Sequence, residues 1–330
     1  MCVFPLPNPP KELLANRLGG KAAKSLVIPQ AGEGANESLR EFHVHQATHL
    51  MKITMRHLFT LALLALTLAP AAFAEHLPRP DHVVVVIEEN RGFSQIMNMA
   101  HLDSHIDALA RRGMLFTQSY GVSHPSEPNY LALFSGSTQG VTSDACPYSF
   151  TGDNLATALL DKGLSFASYS ETLPAIGDLS CMSGAYQRKH NPVSNWQGTR
   201  LPAGMNLRFD DFPQDFSKLP TVAFVIPDQN NDMHDGSFET ADAWLATHIT
   251  PYVDWAFQHN SLLILTWDED DGRENNRVVT LLVGPMVKQG TSAQHIDHYS
   301  VLRTLLDFYR LPAIGASRDA QPIQGVWQKH

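Results

Sequence analysis

The chain has 330 residues, of which 43% are hydrophobic and 17% are charged, and its formal net charge is −9 at pH 7. This acidic balance argues against a general nucleic-acid or anionic-membrane binder, because no basic stripe is present to attract phosphates. Residues 75–330 are long enough to bury one large core, and we expect them to form a single domain.

The N-terminal part of the chain differs from the rest in composition. Residues 1–50 are rich in Pro, Gly, Asn and Lys without a sustained apolar period, which predicts an extension with no structural role. Residues 51–74 resemble a secretory signal peptide, with a basic start, the apolar run Leu58–Leu68 and an Ala-Phe-Ala motif before Glu75. The apolar run is about half the length that a bilayer requires. We therefore expect a periplasmic or secreted protein without a stable membrane anchor.

Two cysteines, Cys146 and Cys181, lie in the predicted exported part. In an oxidising compartment they can pair, and closing this loop would stabilise the fold by about 3–4 kcal/mol. Two unpaired buried thiols are the alternative. The chain has no Cys-x-x-Cys pair that would indicate zinc.

Apolar runs predict an α/β fold with a doubly wound, mostly parallel sheet flanked by helices. Four of them lack alternation, which is typical of strands whose two faces are both covered by helices. Two further runs are weaker candidates. The four predicted parallel strands are His82–Ile87, Thr221–Ile226, Leu262–Trp267 and Val278–Val283, and the two weaker ones are Met114–Val122 and Ser165–Tyr169.

Helical patterns lie between these runs. Pro251 is expected to kink or divide the third helix, because proline lacks a backbone N–H and clashes with the preceding turn. Residues 172–220 have little periodicity and predict a long excursion over one end of the sheet. The predicted helices are Leu102–Arg112, Asn154–Lys162, Glu239–Gln258 and His298–Tyr309.

The stretch His124–Tyr130 joins a predicted strand to a short buried helix that ends at Gly136. Ser126 lies at the junction, and Pro128 suits the first helical turn. A helix N-terminus offers unpaired backbone N–H groups and a partial positive charge to an anion. A serine at this position can equally be an ordinary N-cap.

Polar side chains follow four of the predicted strands, at the point where each ends. In such sheets ligands bind beyond the carboxyl ends of the strands. A solvated acidic turn would explain any one of these groups, but four together suggest a divalent cation that receives an anion jointly with the helix start. The groups are Glu88-Glu89-Asn90, Ser126 with Asn129, the segment from Asp228 to Asp235, and Asp268-Glu269-Asp270-Asp271.

Five motifs follow one another along the chain: Glu89-Asn90, His124-Pro-Ser-Glu-Pro-Asn-Tyr130, Asn231-Asp-Met-His-Asp235, Trp267-Asp-Glu269 and His298-Tyr-Ser-Val-Leu-Arg303. In this order they resemble the bacterial phosphoesterase family, which contains secreted acid phosphatases and nonspecific phospholipases C and belongs to the alkaline-phosphatase-like superfamily. The resemblance spans about residues 80–312. The segment from His105 to Asn129 is also similar to nucleotide pyrophosphatases of that superfamily.

The resemblance implies that Ser126 is a nucleophile that becomes transiently phosphorylated. It also implies a divalent metal ion, Ca, Mg, Mn or Zn, that contacts Ser126 and activates its hydroxyl. The metal would be held by Glu89, Asn90, Asp268 and Glu269. Asn129 would donate to a phosphate oxygen, and Asp232 and His234 would be second-metal ligands, phosphate contacts or the leaving-group acid. His190 would contact phosphate, and His298 would be either a site ligand or a helix cap.

One departure from the family pattern leaves the number of metals open. The two-metal enzymes of the superfamily usually carry Asp-x-x-x-His, whereas here Asp228-x-x-x-Asp232 precedes His234.

The function that the resemblance implies is an exported, metal-dependent acid phosphatase acting on a small phosphate ester, which a phospholipid could supply. A phospholipase C-type phosphodiesterase is the alternative, although those relatives are larger. A non-catalytic cation-binding protein would leave Ser126 and Asn129 unused. A Ser-His-Asp hydrolase would lack its Gly-x-Ser-x-Gly turn.

Overall fold

The computed structural model describes residues 46–52, 55, 77–100 and 103–328. The predicted extension and signal peptide fall mostly outside these ranges and stay predictions. Within the described ranges, no helix combines the length and apolarity that a membrane span needs. The chain divides between Phe73 and Ala74, and the unit that begins at Ala74 is the one described below.

A nine-stranded mixed sheet forms the middle of this unit, in the order β10-β2-β9-β8-β1-β7-β3-β6, with β11 also paired to β2. Strands β4 and β5 form a separate two-stranded hairpin. In chain order the strands are β1 (Val83–Glu88), β2 (Met114–Tyr120), β3 (Phe166–Ser170), β4 (Met182–Ser183), β5 (Tyr186–Gln187), β6 (Asn206–Arg208), β7 (Val222–Ile226), β8 (Leu262–Trp267), β9 (Arg277–Val283), β10 (Gly290–Ser292) and β11 (Ile296–Asp297).

The mostly parallel sheet is confirmed, but the direction predicted for Val278–Val283 is wrong. Strands β8, β1, β7, β3 and β6 run parallel to one another. Strand β9 runs antiparallel between β8 and β2. The reason is the short connection from β8 to β9, which contains no helix, whereas a parallel pair needs a long crossover. An unbroken apolar run reports burial on both faces and carries no information about direction.

Helices cover both faces of the sheet. Those in chain order are α1 (Phe93–Met99), α2 (His105–Arg112), α3 (Glu127–Ser135), α4 (Leu155–Asp161), α5 (Phe238–His248), α6 (Thr250–Ala256) and α7 (His298–Phe308). Helices α3, α4 and α7 pack on one face, and α1, α2, α5 and α6 pack on the other. The predicted third helix is divided into α5 and α6, with Pro251 in the first turn of α6, where a missing N–H costs nothing.

Helix α3 is held rigidly because every one of its residues is buried. It ends at Gly136, which has a left-handed backbone with φ of +69°. A Cβ added at this glycine would lie 2.2 Å from the carbonyl oxygen of Ile314. Both the conformation and the close approach therefore require glycine at this position.

The excursion over residues 172–220 consists mainly of short 3-10 turns, the β4–β5 hairpin and the edge strand β6, which the sequence did not predict. A disulfide joins Cys146 to Cys181, whose Cα atoms are 5.8 Å apart. The cysteines are thus paired, and the bridge ties the excursion to the segment that follows α3.

Candidate active site

The carboxyl ends of β1, β2, β3, β7 and β8 meet at one edge of the sheet, because these strands point in the same direction. Backbone hydrogen bonds continue past the strand ends. The Glu89 amide donates to the carbonyl of Asp232 at 2.8 Å, and the Asp268 amide donates to that of Glu88 at 2.9 Å. These bonds fix the polar segments that follow β1, β7 and β8 against one another.

Ser126 is buried immediately before helix α3, and its hydroxyl makes no capping hydrogen bond. Its Oγ lies instead 3.0 Å from Glu89 Oε2 and 3.0 Å from Glu269 Oε1. The ordinary N-cap interpretation is therefore wrong. The hydroxyl belongs to a cluster of carboxylates drawn from two other strand ends.

The carboxylates of this cluster have strongly raised pKa values. Burial raises the pKa of Asp268 to about 8 and that of Glu269 to about 7. Burial, together with neighbouring carboxylates, also raises the pKa values of Glu89 and Asp232 well above their ordinary range. A serine hydroxyl has one proton and can donate fully to only one carboxylate. Either neighbour of Ser126 can therefore carry a proton of its own and donate to the serine.

The donor set fits a divalent cation. Asp268 Oδ2 and Asp232 Oδ2 are buried without a hydrogen-bonding partner among the described residues. Buried carboxylates without such partners are costly unless a cation compensates them. The ligand atoms of Glu89, His190 and His234 also lie within 4.8 Å of one another, close enough to share an ion. The sequence analysis did not place either of these histidines among the four residues predicted to hold the metal.

His190 lies deep in the site, stacked on the ring of Tyr130 at 5.3 Å. Its Nε2 is 3.2 Å from Glu89 Oε1 and its Nδ1 is 3.5 Å from Asp232 Oδ2. Burial, with Lys189 nearby, lowers its pKa well below the ordinary value. A neutral imidazole in this position suits metal ligation as well as the predicted phosphate contact.

Two neighbours orient the ring of His234. Asp235 Oδ1 lies 2.8 Å from its Nδ1, and Gln229 Nε2 lies 3.1 Å from the same atom. The other ring nitrogen, Nε2, lies 3.4 Å from Lys189 Nζ.

Asn90 takes part through its backbone. Its φ is +54°, a left-handed conformation that asparagine adopts more readily than most residues. Its amide donates to Asp268 Oδ1 at 3.1 Å and so links the segments that follow β1 and β8.

Asn129, which was predicted to donate to a phosphate oxygen, makes its side-chain hydrogen bonds within the loop that carries Ser126. Its Oδ1 accepts from the amides of Val122 and Ser123 at 2.8 and 3.0 Å. Its Nδ2 donates to the carbonyls of Ser123 and Pro125 at 2.9 and 3.3 Å. Both side-chain N–H groups are used, so Asn129 holds the loop that carries Ser126 and has no donor left for phosphate.

The start of helix α3 also offers fewer N–H groups than predicted. The amide of Glu127 donates to Asp144 Oδ1 at 3.0 Å. Pro128 has no N–H, and the amide of Asn129 donates to the carbonyl of Ser126 at 2.9 Å. These three positions therefore leave no free amide for an anion.

The structure places His298 against the backbone of Asp268, and another residue caps its helix. The cap of helix α7 is Asp297, whose side chain accepts from the amide of Ser300. His298 is buried, and its Nε2 lies 2.6 Å from the carbonyl oxygen of Asp268, to which it donates. Burial lowers its pKa, so the ring is neutral with its proton on Nε2. It positions the backbone of Asp268.

Sequence reasoning missed three residues of the site. Tyr130 donates its hydroxyl to Glu89 Oε1 at 2.5 Å, and His124 Nδ1 is 2.5 Å from Glu269 Oε2. Lys189 Nζ lies against His234 and donates to Asp144 Oδ2 at 2.8 Å. Tyr130 follows Ser126 at one helical turn, a spacing that could have indicated its place in the site.

We expect Tyr130→Phe to weaken metal binding about 10- to 100-fold, because partners that orient a metal-ligating carboxylate have effects of this size. The ring stacks on His190 and remains in the variant. Tyr252→Phe is the matched control, since its hydroxyl is buried but bonds to the carbonyl of Leu262 away from the carboxylates. Calorimetric metal titration of both variants checks the prediction. Equal metal affinity in Tyr130→Phe and wild type would contradict it.

We expect the metal-free protein to lose stability between about pH 6.5 and about pH 8.5. The pKa of Asp268 is about 8 in the folded protein and about 4 when unfolded. The folded state therefore binds more protons over this range, and stability falls as pH rises, by about 2 kcal/mol from Asp268 alone. The lowered pKa values of His190 and His298 oppose this trend only weakly, because the unfolded rings are already half neutral at about pH 6.5 and almost fully neutral above about pH 7.5.

Thermal unfolding with chelator should show this loss as a fall in Tm of roughly 4–8 °C. Saturating metal should abolish the fall, because a bound cation keeps the carboxylates ionised throughout. A metal-free Tm that rises over the same range would contradict the assigned protonation.

Comparison with known proteins gives three findings. The profile of the Phosphoesterase family matches residues 97–312. Phosphatidylinositol-3-phosphatase of Mycobacterium tuberculosis is 44% identical over 257 residues, which cover 77% of this chain and 85% of that protein. An acid phosphatase of Aspergillus fumigatus is 31% identical over 237 residues, covering 66% of this chain but 53% of the fungal enzyme.

Solved structures resemble the chain at low sequence identity. A protein of Bacteroides thetaiotaomicron from a study of glycosaminoglycan metabolism aligns with a TM-score of 0.50 at 13% identity, covering 74% of this chain and 80% of that one. It agrees with the α/β fold described above. A protein of the alkaline phosphatase superfamily from Vibrio parahaemolyticus aligns with a TM-score of 0.49 at 12% identity, covering 76% and 72%.

Proposed function

Since the chain belongs to the Phosphoesterase family and is a hydrolase of phosphoric esters, we propose that it is an exported, metal-dependent phosphomonoesterase that works through a phosphoserine at Ser126. The observation that carries this proposal is the position of the Ser126 hydroxyl, buried between the carboxylates of Glu89 and Glu269. A structural serine in this position would cap helix α3, and this one does not.

In this mechanism Ser126 Oγ forms a bond to phosphorus as the bond to the leaving alkoxide breaks, and a water molecule later releases phosphate from the serine. The hydroxyl proton passes to the carboxylate to which it already donates, Glu89 or Glu269. Tyr130 and His298 keep the carboxylate segments in place.

The metal would be held by Glu89, Asn90, Asp268 and Glu269 around Ser126, with Asp232, His190 and His234 grouped near Glu89. A divalent cation there would neutralise the clustered carboxylates and the phosphate oxygens. Ca, Mg, Mn and Zn are all compatible with these oxygen and nitrogen donors.

The substrate class that we propose is a phosphate monoester, including the phosphorylated headgroup of a phosphoinositide. The phosphoinositide headgroup is included because the relative in M. tuberculosis is named a phosphatidylinositol-3-phosphatase. Export is supported by the disulfide between Cys146 and Cys181, because such bonds persist in oxidising compartments.

The test compares four substrates with and without chelator: p-nitrophenyl phosphate, its bis-ester, phosphatidylcholine and short-chain phosphatidylinositol 3-phosphate. We expect hydrolysis of the two monoesters, abolished by chelation and restored by divalent metal. Preference for the bis-ester or phosphatidylcholine would favour a phospholipase C-type enzyme. Metal binding without hydrolysis of any substrate would favour a cation-binding protein.

A further inference from the structure

Two of the anion-binding groups that the motifs predict make their hydrogen bonds within the protein. The side chain of Asn129 is used within its own loop, and the amide of Glu127 is used by Asp144. Apart from a bound metal, a phosphate group would therefore face mainly carboxylates, which repel it. Some other cationic group of the chain has to offset this repulsion.

Lys189 is such a group. Its side chain is only 15% exposed, and Nζ lies 3.4 Å from His234 Nε2. His234 itself belongs to the cluster of metal-ligating side chains formed with Glu89 and His190. The positive charge of Lys189 also acts on Glu89 and Glu269, the two carboxylates that flank the serine hydroxyl, and partly offsets the rise in pKa that burial causes in each.

Asp144 fixes Lys189 relative to the nucleophile. One carboxylate oxygen of Asp144 accepts from Lys189 Nζ at 2.8 Å, and the other accepts from the amide of Glu127, the residue after Ser126, at 3.0 Å. A single carboxylate thus joins the ammonium group to the first turn of helix α3. Because the lysine side chain is already held in place, it loses less conformational entropy on binding a ligand than an unrestrained lysine would.

The ammonium group also has a donor to spare. It carries three N–H bonds, and only Asp144 and His234 accept from it among the described residues. The remaining N–H is available to a phosphate oxygen. A charge-assisted hydrogen bond of this kind is stronger than a neutral one.

We propose that Lys189 binds a phosphoryl oxygen of the substrate and makes the site selective for monoesters. A monoester phosphoryl group is a dianion near neutral pH, whereas a diester replaces one charged oxygen with an alkylated one. A fixed ammonium group stabilises the additional negative charge and gains little from the ester oxygen. This proposal rests on the proposed phosphatase function and adds a residue that no motif had assigned.

The test is Lys189→Met, which keeps the apolar length and removes the charge. The matched control is Lys218→Met, a lysine on the surface that pairs with Asp215. In Lys189→Met we expect kcat/KM for p-nitrophenyl phosphate to fall about 10- to 100-fold, the equivalent of one hydrogen bond to a charged group. The inhibition constant of inorganic phosphate should rise by a similar factor, while turnover of the bis-ester changes less than about threefold.

Metal titration separates this role from a structural one. Removing a cation beside the carboxylates should leave metal affinity unchanged or increase it, while phosphate affinity falls. A structural collapse would weaken both. An unchanged phosphate inhibition constant, or equal losses on the monoester and the bis-ester, would overturn the assignment. If Ser126→Ala retained normal turnover, the proposed phosphoserine mechanism would fail, whatever the result for Lys189→Met.

Discussion

Replacing Ser126 by alanine is expected to lower kcat by about 10⁴-fold or more, because it deletes the proposed nucleophile. The carboxylates of Glu89 and Glu269 remain, and so does Lys189. Metal and inorganic phosphate should therefore still bind to the variant with affinities close to those of the wild type. Steady-state kinetics on p-nitrophenyl phosphate measure the first effect, and calorimetry measures the second.

Ser123→Ala is the matched control, because this nearby half-buried serine donates its hydroxyl to the carbonyl of His124 and to no other group among the described residues. Its turnover should stay within about threefold of the wild type, as expected for a hydroxyl outside the carboxylate cluster. Acid-quenched wild type should also yield a phosphorylated peptide that contains residue 126. Near-normal turnover in Ser126→Ala would instead indicate direct attack by water, and phosphate trapped on another side chain would move the nucleophile.

The strands could be predicted closely where both of their faces are buried, because such strands require an unbroken apolar run. Strands β1, β7 and β8 lie between helices, and their apolar runs marked them to within a residue. The direction of β9 could not be predicted, because its apolar run would be the same in a parallel strand. The edge strand β6 is three residues long and pairs with one strand, β3. Three residues are too few to show a periodic pattern in the sequence.

The site was predictable as a meeting of strand ends, since Glu89, Ser126 and Glu269 each follow a strand that ends at the same edge. The roles of single side chains were less predictable. Asn129 and His298 have the residue types that a phosphatase site uses, but the loop conformation determines what their N–H groups contact. Lys189 and Asp144 meet across 45 positions of sequence, and no local pattern connects them.

The second large effect that we expect is a loss of metal binding in Asp268→Asn. Asparagine keeps the oxygen that accepts from the amide of Asn90, but it removes the charge of a fully buried ligand. Metal affinity should fall about 100-fold or more, beyond the effect of residues that only orient a ligand. Activity should fall with it and recover in part when excess metal is supplied.

The same substitution should make the metal-free protein more stable at about pH 8, where the raised pKa of Asp268 means that its ionisation is unfavourable. Metal affinity and metal-free stability are thus expected to change in opposite directions, which a general folding defect would not produce. Asp254→Asn is the control, because that carboxylate is exposed and pairs with Arg112 on the surface. Full activity of wild type after complete chelation would show that Asp268 does not act through a metal. In that case the buried carboxylates would have to be explained by their protons alone.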